Sequence, residues 1–225
     1  MLEAVLCDMD GTLVDSNALH AEAWSRTFAH FGIVVGFDEA LHQIGKGGDQ
    51  IIPTFVSRES LPRLEKPIKE YRSSLFHREY FNRIKAFPGS RELLLKMRAV
   101  GLRIAVASSS EKDDLEKLKE IAGIADLVEK ETSSDDANQS KPEPDIFQAA
   151  LDRLGVQPAE AIALGDTPWD IEAASKAGVP TIAVTSGGWT EEELLQAGAI
   201  EVYKDVHEIS EMFTKSRLNR REVAA

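Results

Sequence analysis

The sequence predicts an α/β fold, a parallel, doubly wound sheet carrying an inserted all-helical unit, on three observations. Short apolar runs alternate with amphipathic helical stretches through the second half of the chain. A similar run opens the chain and ends at once in acidic and turn residues. Residues 15–86, between the two, show helical periodicity and no convincing strand.

The opening strand is Ala4–Cys7, followed by Asp8 and the turn pair Asp10-Gly11. Residues 102–107 (LRIAVA), 161–164 (AIAL), 181–184 (TIAV) and 200–203 (IEVY) read as further buried strands. Between them, Leu115, Leu118, Ile121 and Ala122 form a helical stripe before Gly123, and Phe147, Ala150, Leu151 and Leu154 form another that Gly155 ends. Thr190 and Glu193 make a capping box ahead of Leu194 and Leu195, with Gly198 as the stop. Strand–helix alternation implies parallel strands with ligands at their carboxyl ends.

In the inserted stretch, His20, Trp24, Thr27, Phe28 and Phe31 share one stripe, and Ile68, Arg72, Leu75 and Phe76 a later one. Val14-Asp15-Ser16 leads out and Phe87-Pro88-Gly89 leads back. The expected organisation is a catalytic core of residues 1–14 and 87–225 and a helical cap of residues 15–86, hung beside the first strand's tip as a lid.

Of 225 residues, 43% are hydrophobic and 28% charged, which is globular composition. The 38 acidic against 26 basic residues give a net charge of -12, a field that repels nucleic-acid backbone and anionic lipid. It also repels a small phosphorylated metabolite, so such a substrate needs a local cation. One cysteine, Cys7, closes no intrachain disulfide and points to the core side of its strand; with no leader-like start, the expected location is the cytoplasm. No run approaches the ~18 apolar residues of a membrane span.

Four features lie just beyond strands or at helix mouths. Asp8-Met9-Asp10-Gly11-Thr12 sets two carboxylates two residues apart after a buried strand; it is an Asx-type turn or a pair that needs a cation. In Ser108-Ser109-Ser110, Ser110 reads as a helix N-cap, leaving Ser108 and neighbouring N–H groups as donors for a phosphate oxygen. Lys141, stiffened by Pro142 and Pro144, is a surface lysine or the missing positive charge. In Gly165-Asp166-Thr167-Pro168-Trp169-Asp170, the acids cap a helix or join the first pair. Together Asp8, Asp10, Asp166 and Asp170 offer hard oxygen ligands suited to Mg²⁺.

In order and spacing, DMDGTLVDS, Ser108, Lys141 and GDTPWD resemble the four motifs of the haloacid dehalogenase-like superfamily, whose core is Rossmann-like. The insertion is similar in position and length to the helical cap of the subgroup containing β-phosphoglucomutase and phosphoglycolate phosphatase. That resemblance implies a phosphatase acting on a small phosphorylated metabolite. Asp8 would attack phosphorus to form an aspartyl-phosphate, and Asp10 would hold a proton for the leaving oxygen and later accept one from water. The side chains of Asp8 and Asp166, the backbone carbonyl of Asp10 and, further out, Asp170 would hold Mg²⁺. Thr12, Ser108, Lys141 and the N–H groups of Met9, Asp10 and Ser109 would bind the phosphoryl oxygens.

Within the cap, Gly45-Lys46-Gly47-Gly48 is a helix–helix turn or a loop presenting Lys46 to the substrate's far end. The alternatives are a phosphomutase, which would use the same site, and a phospho-ligand binder without turnover. A phosphonate hydrolase would need a cap lysine, for which Lys46 is the candidate. Asp10 disfavours a dehalogenase. The histidines show no metal spacing, Trp24, Phe28 and Phe31 read as cap core, and Asp135-Asp136 as solvated. The basic tail from Lys215 to Arg221 is expected to be a solvated end, and the oligomeric state a monomer or weak homodimer.

Overall fold

The computed structural model describes residues 1–219. In chain order the elements begin with β1 (Ala4–Cys7), β2 (Val14–Asp15), α1 (Asn17–His30), α2 (Phe37–Leu41), α3 (Gly48–Phe55) and α4 (Leu61–Glu79). They continue with β3 (Lys85–Ala86), α5 (Ser90–Ala99), β4 (Arg103–Ala107), α6 (Lys112–Ala122), β5 (Lys130–Thr132) and α7 (Asp145–Leu154). The last are β6 (Ala161–Gly165), α8 (Pro168–Lys176), β7 (Thr181–Val184), α9 (Glu191–Ala197), β8 (Glu201–Tyr203) and α10 (Val206–Glu211).

Six strands form one parallel sheet in the order β5-β4-β1-β6-β7-β8. The first strand is therefore central. Cys7 pairs with Val106 on one side and Leu164 on the other, so Asp8 leaves the sheet between Ala107-Ser108 and Gly165-Asp166. That register brings three separate stretches of chain together at the sheet's carboxyl edge, where the winding reverses.

Both faces are buried, and period-2 alternation sorts the side chains. Val5, Cys7, Ile104 and Val106 join the larger core with α5, α6 and α10. Ala4, Leu6, Ala105 and Ala107 face Phe147, Ala150 and Leu151 of α7, the small alanines admitting that helix closely. Cys7 is buried as expected, and burial pushes its thiol up to about 12.

Between β2 and β3 the chain is helical, with a core of its own from Trp24, Phe28, Ile44, Ile52 and Ile68. Leu75, Phe76 and Tyr80 of this stretch pack instead into the main core. The two crossings of the chain pair as an antiparallel ribbon, Val14 with Ala86 and Asp15 with Lys85. Two residues are too short to carry an alternation pattern, and the polar edge strand β5 (KET) carries none either, so neither element was expected from the sequence.

Two local expectations need correction. Glu111, not Ser110, occupies the N-cap of α6, because the Ser110 hydroxyl is drawn to Asp10. The tail is not a solvated end over its described part: Leu218 is buried in the main core and the Ser216 hydroxyl donates to Glu201. Arg220 and Arg221 lie outside the described residues. Among those described, no helix is long and apolar enough to cross a membrane.

Candidate active site

Asp8 follows β1 directly and is buried. Lys141, brought in by the loop before α7, is completely enclosed, and its ammonium donates to Asp8 Oδ1 and, at 3.1 Å, to the carbonyl of Ala107. It also pairs with Asp170 Oδ1 at 2.7 Å. Burial disfavours the ammonium, but Asp170 and Asp8 outweigh it and hold Lys141 charged, above its ordinary range.

Asp166 follows β6 directly, and Thr167 precedes α8. Thr167, not Asp166, is the N-cap: its hydroxyl accepts from the Asp170 N–H at 3.2 Å and donates to Asp170 Oδ2 at 2.6 Å. The capping box thus fixes one oxygen of Asp170 and turns the other to Lys141. Asp166 accepts from the Thr12 hydroxyl at 2.8 Å and the Asn17 amide at 2.8 Å. Thr12, expected at the phosphate, gives its hydroxyl to Asp166. Gly187 leaves room for that carboxylate, since a Cβ there would stand 1.8 Å from Asp166 Oδ2.

Carboxylate oxygens of Asp8, Asp166 and Asp170 lie within 4.8 Å of one another, all buried. Three carboxylates against one ammonium leave excess negative charge. Burial, then the neighbouring carboxylates Asp170 and Asp8, raises Asp166 well above the usual range; burial also drives the rise of Asp8. A hard divalent cation fits this donor set, by its chemistry and by its charge deficit. Asp10 sends its side chain elsewhere and leaves only its backbone for such an ion.

Asp10 accepts from Ser16 Oγ at 2.6 Å, Ser110 Oγ at 2.9 Å and His20 Nε2 at 3.0 Å. Burial opposes its charge, but His20 and the hydroxyls of Ser16 and Ser110 prevail and hold the carboxyl well below its usual range. The proton that the motif resemblance asks of Asp10 is thus disfavoured in this arrangement. Arg72 explains the imidazole's role: its guanidinium, a donor only, bonds His20 Nδ1, so Nδ1 accepts and Nε2 carries the proton given to Asp10. Burial accordingly lowers the His20 pKa, favouring the neutral ring.

Over Asp8 and Asp10 stands a cavity of about 300 Å³, lined on its far side by His20, Trp24, Ile44 and Arg72 of the helical stretch. Ser108 is buried and accepts the Ser110 N–H at 3.1 Å. Ser109 reaches across to the Gly45 carbonyl at 3.3 Å. Gly45 has φ +100°, and a Cβ would meet Thr167 Oγ1 at 2.7 Å, so only glycine lets the cap loop close on α8. Lys46 lines the cavity wall but lies 3.6 Å over the Trp169 ring and donates to Gln43 at 2.8 Å.

Asn17, Ser16, His20 and Arg72 were missed by sequence reading as site residues. Asn17 resembles an ordinary helix-start residue, and its partner Asp166 is 149 positions away. His20 and Arg72 carried a signal, polar residues within apolar stripes, that reads equally well as cap packing.

A family model described as haloacid dehalogenase-like hydrolase matches residues 5–184. The chain belongs to that family. A phosphoglycolate phosphatase of Rhodospirillum rubrum is 30% identical over 214 residues, covering 91% of this chain and 88% of the relative. A phosphorylated carbohydrates phosphatase of Thermotoga maritima is 28% identical, covering 90% and 94%. Among solved structures, a hydrolase from Pseudomonas syringae superposes with TM-score 0.85 at 25% identity, covering 99% of this chain and 100% of the other. Family membership makes this chain a hydrolase with a Rossmann-like core.

Proposed function

We propose that the protein is a Mg²⁺-dependent phosphatase that hydrolyses a small phosphorylated metabolite, of the sugar phosphate or phosphoglycolate type, through an aspartyl-phosphate on Asp8. The observation that carries this reading is Lys141, enclosed between Asp8 and Asp170 with Asp166 beside them. A nucleophile, a fixed cation and two further hard carboxylate ligands are what phosphoryl transfer to a carboxylate requires. The names of the two curated relatives support the substrate class.

Asp8 and Asp166 would hold the ion, with the Asp10 carbonyl and Asp170 completing the set; Mg²⁺ supplies charge neutralisation between carboxylate and phosphate. Lys141 opposes the burial-driven rise of Asp8 and faces the charge that gathers on the phosphoryl oxygens. Ser108 and the N–H groups of Met9, Asp10 and Ser109 take the remaining phosphoryl contacts. Asp10 has first to gain a proton and leave Ser16, Ser110 and His20 before it serves the leaving oxygen. The cap excludes water meanwhile.

A phosphomutase would share every one of these parts. The glycine before Asp166, in place of a second acid, favours the phosphatase. The test is a phosphate-release screen over sugar phosphates, phosphoglycolate, nucleotides and pyrophosphate, with and without Mg²⁺. Metal-dependent release from a small ester is expected. Silence across the panel would favour a binding protein, and activity only with catalytic sugar bisphosphate a mutase.

A further inference from the structure

The cavity contains one cation whose partners do not account for it. Arg72 of α4 lines the wall, its guanidinium held 4.3 Å from the Phe76 ring centre and 5.3 Å from that of Trp24. One of its nitrogens bonds His20, and its buried Nε has no hydrogen-bond partner. Among the described residues no carboxylate forms an ion pair with it. By contrast, Lys69 on the same wall pairs with Glu65 at 2.7 Å, and Lys46 is engaged by Gln43 and Trp169. Burial draws Arg72 down to about 10, and Asp10, Asp114 and Glu111 offset this only from a distance. Two of the nearby acids are engaged elsewhere, Asp114 with His77 Nε2 at 2.8 Å and Asp49 with the Ser140 N–H at 3.1 Å, and Glu111 is exposed to solvent.

A largely enclosed guanidinium without a counter-ion is costly unless an anion arrives, and its planar fork suits two oxygens of one acid group. We infer that Arg72 receives an anionic group on the leaving part of the substrate, so that this site prefers the phosphate ester of a short hydroxy acid to that of a neutral sugar or alcohol. The inference rests on the phosphatase reading for where the leaving oxygen lies. Arg72 and Asp10 bond opposite nitrogens of the same imidazole, so the guanidinium already stands near the acid before that carboxyl leaves His20 to serve the leaving oxygen. A short leaving group suits that proximity. Ring stacking from Trp24 and Phe76 fixes the guanidinium beforehand, which reduces the ordering cost of binding.

Three esters on one two-carbon skeleton test this: phosphoglycolate, 2-hydroxyethyl phosphate and ethylene glycol bisphosphate. The wild-type kcat/KM is expected to favour phosphoglycolate over 2-hydroxyethyl phosphate by about 10- to 100-fold, the range for a hydrogen-bonded charge. Arg72→Met should bring the two within about 3-fold, and Arg72→Lys should keep part of the preference. A purely structural role, or one exerted only through His20 and Asp10, would lower both esters equally and overturn the inference. So would a wild-type ratio near one. If the bisphosphate is preferred and loses its advantage in Arg72→Met, the anion site stands and its natural occupant is a second phosphate. Calorimetric binding of the same three esters to Asp8→Asn protein with Mg²⁺ separates this claim from the catalytic one. Arg72-dependent preference without wild-type turnover upholds the anion site and defeats the phosphatase; turnover without preference does the reverse.

Discussion

Lys141 is the residue on which the rest of the site leans, because its one ammonium pairs with two buried carboxylates. Lys141→Met should therefore destabilise the metal-free protein by about 3–5 kcal/mol, the cost of leaving a buried charge unpaired. Adding Asp8→Asn should recover part of that loss; chemical denaturation of the single and double variants reads the coupling. Gly187→Ala makes a sharper test of geometry. Its methyl group collides with Asp166, so activity and metal affinity are expected to fall at least about 10-fold while the melting temperature changes by a few degrees only. An unchanged metal titration would mean that Asp166 is not a ligand. At this scale the acids and the lysine were legible in the sequence, since each sits against a strand run or a proline pair that marks its place. Asn17, Ser16 and Arg72 were not, because what makes them functional is a partner 149, 6 or 52 residues away and not any local pattern.

Two helix caps of the same type separate what a capping box contributes to an element from what it contributes to chemistry. Thr190 begins α9 on the surface and Thr167 begins α8 over the acid cluster, each with its N3 acid answering the cap. Thr190→Ala is expected to cost about 1 kcal/mol and leave turnover unchanged. Thr167→Ala should cost more, about 2 kcal/mol, because the buried Asp170 Oδ2 loses its hydroxyl donor as well. It should also weaken metal binding, as Asp170 is freed to rotate; thermal melts with a metal titration check both. Equal effects on activity would place the importance of Thr167 in folding alone. The capping box at Thr190 was readable from spacing, whereas the one at Thr167 was hidden by the adjacent Asp166, which competes for the same role on paper. Similarly, β2 and β3 are visible only as a pair: four residues drawn from the two crossings of the chain form the ribbon from which the helical stretch hangs.

For the molecule as a whole, the acid cluster couples stability to pH and metal. Asp8 rises to about 8 and Asp166 well above the carboxylate range, whereas in the unfolded chain both titrate near 4. The folded state thus binds more protons between these limits, so the contribution of the two acids is full below about pH 4 and is lost as pH rises through the folded values. Metal binding requires them deprotonated and reverses the loss. The Mg²⁺-induced rise in melting temperature should therefore be larger near pH 8 than near pH 6, and Asp166→Asn should flatten the difference; a Mg²⁺ effect independent of pH would count against the cluster as the binding site. The most direct measurement of the central claim is an acid quench of enzyme turning over ester labelled in its phosphate, followed by peptide mapping. Label is expected on the peptide containing Asp8, released by hydroxylamine, dependent on Mg²⁺ and absent from Asp8→Asn. Phosphate released at the full rate by Asp8→Asn, with no labelled peptide in the wild type, would contradict it.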